Sequence, residues 1–88
     1  MNIYLSKNFL ISYKNVTKRN KTLKYEIKNK LNLYRKNPKH PSLRLHKLKG
    51  RFVESWSITI ESNIRIIFTY VNDGILLVDI GTHDEVYS

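Results

Sequence analysis

Three successive β-patterned runs lie between residues 55 and 80, and no other feature restricts the fold as strongly. Ser55-Trp56-Ser57-Ile58-Thr59-Ile60 keeps a strict period of two, the mark of a strand with one buried face. Ile64-Arg65-Ile66-Ile67-Phe68-Thr69-Tyr70 places Ile64, Ile66, Phe68 and Tyr70 on one side and Arg65, Ile67 and Thr69 on the other. A third run spans Ile75 to Ile80. A one-residue slip turns every side chain of a strand over, so the connections decide the register. A three-residue loop Glu61-Ser62-Asn63 pairs Ile60 with Ile64, Ile58 with Ile66 and Trp56 with Phe68. A two-residue Asp73-Gly74 turn would set Asp79 opposite Phe68 and force a carboxylate into the core. A three-residue loop Asn72-Asp73-Gly74, with Gly74 in the left-handed position, pairs Tyr70 with Leu76, Phe68 with Val78 and Ile66 with Ile80 instead. The face away from the core then gathers Ser57, Thr59, Asn63, Arg65, Asp79 and His83. A cation, a carboxylate, small hydroxyls and a histidine on one sheet face make a candidate site.

The preceding part of the chain supplies the covering layer. Asn2 to Leu5 reads as a strand joining the sheet, and Ser6 as the cap of a helix that starts at Lys7 with Phe9, Leu10, Tyr13 and Val16 at helical spacing. Thr17-Lys18-Arg19-Asn20 is expected to break it. A second helix from Lys21 to Lys36 carries Leu23, Ile27, Leu31 and Tyr34 in one stripe and stops at Asn37-Pro38. The order predicts an α+β fold in a single domain over residues 1–88: an N-terminal strand and a two-helix hairpin packed on a twisted antiparallel sheet, β-α-α-β-β-β.

Charge narrows the partners. Fifteen of the sixteen Lys and Arg lie within residues 1–51 against the single acid Glu26, a net charge of +14; the rest sets Arg65 against six acids, a net charge of −5. A basic half of this kind points to a polyanion, nucleic acid first and an acidic protein segment second, although any single lysine is more often solvated helix surface. The absence of cysteine excludes disulfides and thiolate metal sites. No run approaches the about 18 apolar residues of a membrane helix, and the first residues lack a charged leader followed by an apolar stretch, so the expectation is a soluble, cytoplasmic protein without a membrane partner.

Between the helices and the meander, Leu43-Arg44-Leu45-His46-Lys47-Leu48-Lys49-Gly50 interleaves basic and apolar residues. Leu43, Leu45 and Leu48 are expected to anchor this loop, leaving Arg44, His46, Lys47 and Lys49 to project. His46-Lys47-Leu48-Lys49-Gly50, Arg65-Ile66-Ile67-Phe68 and Gly81-Thr82-His83-Asp84-Glu85-Val86-Tyr87 follow one another in an order and spacing that resembles the RelE/YafQ-type toxins of bacterial type II toxin–antitoxin modules. The resemblance covers essentially the whole chain. Each piece alone is weak, and together in a short basic protein they are fairly specific.

The resemblance implies a metal-independent, ribosome-dependent endoribonuclease that cuts mRNA in the decoding site of the small ribosomal subunit and is silenced by a cognate antitoxin. No cofactor is implied, and three histidines without spaced carboxylates are poor evidence for a metal. Such cleavage needs the 2′-hydroxyl as nucleophile, a group to take its proton, a cation at the phosphate and an acid for the departing 5′-oxygen. His83 matches the family's C-terminal histidine, the implied general acid, a task that suits an imidazole near neutrality. His46 matches the histidine of the family's His-x-Leu loop and is the candidate to accept the 2′-hydroxyl proton or orient the phosphate. Arg65 matches the family's strand arginine and would grip the scissile phosphate through its planar fork, with Asp79 as orienting partner. Lys47, Lys49 and Arg44 are expected on backbone phosphates and Tyr87 on a base. His40, beside Pro41, reads as linker surface.

Thr59 and Asn63 stand where YafQ-like members carry a histidine and an aspartate, and Asp79 where some carry an arginine. The alternatives are a ParE-like protein-binding inhibitor of DNA gyrase, which shares the fold, and a catalytically degenerate toxin that retains only antitoxin or RNA binding.

Overall fold

The computed structural model describes residues 1–50, 53–61 and 63–87, the side chains of Glu85 and Tyr87 excepted. Its elements are β1 (Asn2–Leu5), α1 (Lys7–Arg19), α2 (Lys21–Lys36), a 3-10 turn (Pro41–Leu43), β2 (His46–Leu48), β3 (Ser55–Glu61), β4 (Ile64–Val71), β5 (Gly74–Thr82) and α3 (His83–Tyr87). The expected strand, helical hairpin and meander are all present. Two further features complete the sheet: β2 adds an edge, and β1 pairs with β5 in parallel, giving the mixed order β1-β5-β4-β3-β2.

Local chemistry sets the helix ends. The Ser6 hydroxyl accepts from the Phe9 amide at 2.9 Å, satisfying one of the orphan donors of α1. The break after α1 is narrower than Thr17-Lys18-Arg19-Asn20: the helix continues to Arg19 and only Asn20 interrupts it. Thr17 stays helical because it is buried and its hydroxyl donates to the Tyr13 carbonyl at 2.7 Å. The α2 stripe buries Leu23, Ile27 and Tyr34 on the sheet, against Ile58, Ile60, Ile66, Phe68, Ile75, Leu77 and Ile80. Burial, and then a hydrogen bond with the Tyr70 hydroxyl at 3.0 Å, push the Tyr34 phenol well above its usual range. Leu43 is fully buried and Leu45 packs on the same core, as the anchoring role requires.

The register departs from the expected loops in an instructive way. Trp56 faces Phe68, Ile58 faces Ile66 and Ile66 faces Ile80, as predicted. But Glu61, not Ile60, faces Ile64, because Ile60 is the extra residue of a bulge; the connection is therefore shorter than three residues, and Ser62 lies outside the described residues. In the second hairpin Val71 faces Gly74, Tyr70 faces Ile75 and Phe68 faces Leu77, so the turn is Asn72-Asp73 and the predicted Tyr70/Leu76 and Phe68/Val78 pairs do not form. Val78 is the bulge there, and past it Ile67 faces Asp79. A two-residue turn without positive φ fits strand twist poorly, and an extra residue restores the ladder. The Val78 carbonyl is taken up by the Ser6 hydroxyl at 3.1 Å and the Asn8 amide at 3.0 Å. Ile75 and Leu77 thus enter the core before the bulge and Ile80 after it, while Asp79 is kept out. Gly74 is not left-handed. It is required because a Cβ there would overlap the Asn2 carbonyl oxygen of β1.

Candidate active site

The sheet face opposite α1 and α2 carries two adjacent cross-strand rows. In one, His46 of β2 faces Ser57 of β3, which faces Ile67 of β4, which faces Asp79 of β5. In the next, Thr59 faces Arg65, which faces Gly81. Ser57, Thr59, Arg65 and Asp79 therefore share a face, as the parity of the strands required, although bulges rather than loop lengths produce it. Ile67 and Val86 are buried yet belong to no part of the helix-side core, and α3 packs on β4 and β5.

His46 was expected on a projecting loop. It lies instead on the exposed edge strand, where pairing with β3 holds it across from the fully buried Ser57. Its Nδ1 stands 3.0 Å from the Arg44 carbonyl oxygen. A carbonyl can only accept, so Nδ1 carries the proton in the neutral ring and Nε2 keeps its lone pair. The Ser57 hydroxyl is 3.4 Å from both ring nitrogens and selects neither; the shorter contact fixes the tautomer. Arg44 itself is held at φ 47°, the one non-glycine in the left-handed region among the described residues. The alternation Leu43-Arg44-Leu45-His46 does not mark the strand, because Leu43 lies in the 3-10 turn and Arg44 is left-handed; only His46-Lys47-Leu48 is paired.

Arg65 is half-buried on β4, facing Thr59 of β3 on one side and Gly81 of β5 on the other. Asp79 is its diagonal neighbour, within reach of an arginine, though the Asp79 carboxylate already accepts from the Ile80 amide at 2.9 Å. His83 is the first residue of α3, two positions past the residue that faces Arg65. It is exposed, and its Nδ1 lies 3.8 Å from an Asp84 carboxylate oxygen, an ionic contact too long for a hydrogen bond. Lys49 is exposed, whereas Lys47 is engaged: its ammonium donates to Glu54 at 2.9 Å, and this contact holds the Glu54 carboxyl below the usual carboxylate range. The Tyr87 side chain lies outside the described residues. His40 serves the backbone, its Nδ1 accepting from the Ser42 amide at 3.1 Å and capping the 3-10 turn. Among the described residues no three His, Asp or Glu side chains gather as metal ligands, and no helix is long and apolar enough to cross a membrane.

The chain was compared with known proteins. Its fold is similar to YafQ from E. coli strain BL21(DE3), with a TM-score of 0.84 at 19% identity over 99% of this chain and 98% of that one. It is similar to the E. coli DinJ-YafQ complex at 0.82 and 19%, with 99% and 98% covered, and to the YoeB dimer from Staphylococcus aureus at 0.76 and 21%, with 94% and 97% covered. No curated protein matches the sequence. The family model described as "Bacterial toxin of type II toxin-antitoxin system, YafQ" matches residues 1–88, and the chain belongs to that family of toxins.

Proposed function

We propose that this toxin is a ribosome-dependent endoribonuclease that cuts mRNA without a metal ion. His46 Nε2 takes the proton of the 2′-hydroxyl. The 2′-oxygen attacks the phosphorus, Arg65 stabilises the charge gathering on the non-bridging oxygens, and His83 protonates the 5′-oxygen as its bond to phosphorus breaks. The products are a 2′,3′-cyclic phosphate and a 5′-hydroxyl. The observation that carries the reading is the pair of adjacent rows bringing His46 and Arg65 to one face, with His83 just past the Arg65–Gly81 pair. Mapping breaks in ribosome-bound mRNA with and without His83→Ala tests it: site-specific cuts lost in the variant support the proposal, and toxicity without cuts supports a gyrase-type inhibitor. Thr59 and Asn63, in place of a histidine and an aspartate, favour a second reading in which RNA is bound but cut slowly or not at all.

The proposed partner is an antitoxin, as DinJ is for E. coli YafQ. A groove between β1, α1 and α2 is floored by Leu5, Leu10 and Leu31 and rimmed by Lys24, Lys28 and Arg35. Its chemistry suits an acidic amphipathic helix laid apolar face down.

A further inference from the structure

Beyond the start of β2 the edge of β3 is uncovered, and a second basic pocket opens there. Continuing the β2–β3 register by two residues would set Arg44 opposite Thr59. The left-handed backbone of Arg44 ends the strand pairing instead, and the bulge at Ile60 bends β3 at the same level. The gap is a pocket of about 390 Å³ lined by Lys30, Ser42, Arg44, Thr59, Ile60 and Glu61.

Its polar groups are built rather than scattered. Lys30 is half-buried as a residue, and its ammonium donates to the Ser42 hydroxyl at 3.2 Å. That hydroxyl lies 2.9 Å from His40 Nδ1, the capping nitrogen of the 3-10 turn. The turn is pinned by fully buried Leu43. Arg44 serves both places: its carbonyl holds the His46 ring at 3.0 Å, and the residue lines the pocket. Thr59 also has two roles, facing Arg65 of β4 and lining the pocket. Two cations against the single carboxylate of Glu61 leave the pocket positive.

We infer that the Lys30–Ser42–Arg44–Thr59 pocket holds the RNA phosphate next to the one gripped by Arg65. The inference rests on the nuclease reading for the nature of its ligand. Lys30 supplies a point charge, Arg44 a planar fork and the Thr59 hydroxyl a neutral donor, the set that positions a sugar–phosphate backbone without reading sequence. Fixing two successive phosphates orients the 2′-hydroxyl between them, a contribution to in-line attack that no single arginine makes.

The test uses the full chain and a short 2′-O-methyl RNA, which cannot be cut, in a series where each phosphate in turn is an uncharged methylphosphonate. Binding is followed by fluorescence anisotropy as a function of salt. Lys30→Gln is expected to lower the log–log salt slope by about 0.7, the value for one phosphate contact on a single strand. It is also expected to abolish the affinity loss at one methylphosphonate position and no other, while Arg65→Ala does so at the adjacent position. Glu61→Gln is expected to tighten binding through the Lys30-dependent phosphate. Lys30→Gln that leaves both slope and methylphosphonate profile unchanged, while Arg65→Ala alters them, overturns the pocket and spares the nuclease. Indifference of every position to Arg65→Ala overturns the nuclease reading itself.

Discussion

The imidazole of His46 is tied to the carbonyl of Arg44, Nδ1 to oxygen at 3.0 Å, and this bond leaves Nε2, 3.4 Å from the Ser57 hydroxyl, as the acceptor nitrogen of the ring. Nitrogen-15 NMR of the neutral ring is expected to show the proton on Nδ1; a proton on Nε2 would contradict the assignment. His46→Ala is expected to slow cleavage by about 10²–10⁴-fold, the usual contribution of one general base. Arg44→Gly keeps the carbonyl and relaxes a backbone at φ 47° that glycine adopts freely, so it should raise KM while leaving kcat nearly unchanged.

Gly74→Ala pushes a methyl group into the Asn2 carbonyl and should detach β1. A loss of about 2–4 kcal/mol is expected in urea unfolding, at the upper end for single substitutions. Hydrogen exchange should localise the damage to Asn2–Leu5 and β5; retention of protection there would mean the chain accommodates the methyl group.

Ser6→Ala removes two bonds at once, the cap on Phe9 and the clasp on the Val78 carbonyl. A cost of about 1–2 kcal/mol is expected, the range of helix caps. Ser6→Gly should recover only part of it, since glycine caps a helix but cannot reach the bulge. Full recovery of wild-type stability by Ser6→Gly would show that the clasp contributes nothing.

Tyr4 and Asp73 make stability depend on pH at both extremes. The Tyr4 hydroxyl donates to Asp73 at 2.7 Å and Asn2 to the same oxygen at 2.9 Å, which holds the Asp73 carboxyl below its usual range. A depressed carboxyl contributes stability that is present above its unfolded value, near about 3.9, and is lost as pH falls through the folded one. The same hydrogen bond raises the Tyr4 phenol, whose contribution is present below about 10 and lost as pH rises through the folded value. Asp73→Asn should flatten the stability profile at both ends, as read by thermal unfolding across pH; a slope surviving at either end would place its origin elsewhere. Both groups are exposed, so the effect should shrink with salt.

Much of the fold was legible because a carboxylate cannot enter an apolar core. That rule placed Asp79 on the open face beside Arg65 and paired Ile66 with Ile80, and both hold. It did not reveal the means. Loop length and bulges both change strand parity, and Ile60 and Val78 are ordinary strand residues that give no sign of a bulge. The Val78 bulge is secured by Ser6 and Asn8, over 70 residues away in one case and 70 in the other, a relation no local pattern carries. The wrong assignment of Leu76 and Val78 to the core, in place of Ile75 and Leu77, follows from that alone. At the candidate site the residue types were readable, whereas the His46 tautomer and the engagement of Lys47 by Glu54 depend on β2 pairing with β3, which three strand residues signal only faintly.

Product chemistry tests the proposed mechanism most directly. Messenger RNA cut on ribosomes by the wild-type chain is expected to carry 2′,3′-cyclic phosphate on the upstream fragment and 5′-hydroxyl on the downstream one, with the yield lost in each of His46→Ala, Arg65→Ala and His83→Ala. Fragments ending in 3′-hydroxyl and 5′-phosphate, or undiminished cyclic phosphate from all three variants, would contradict it.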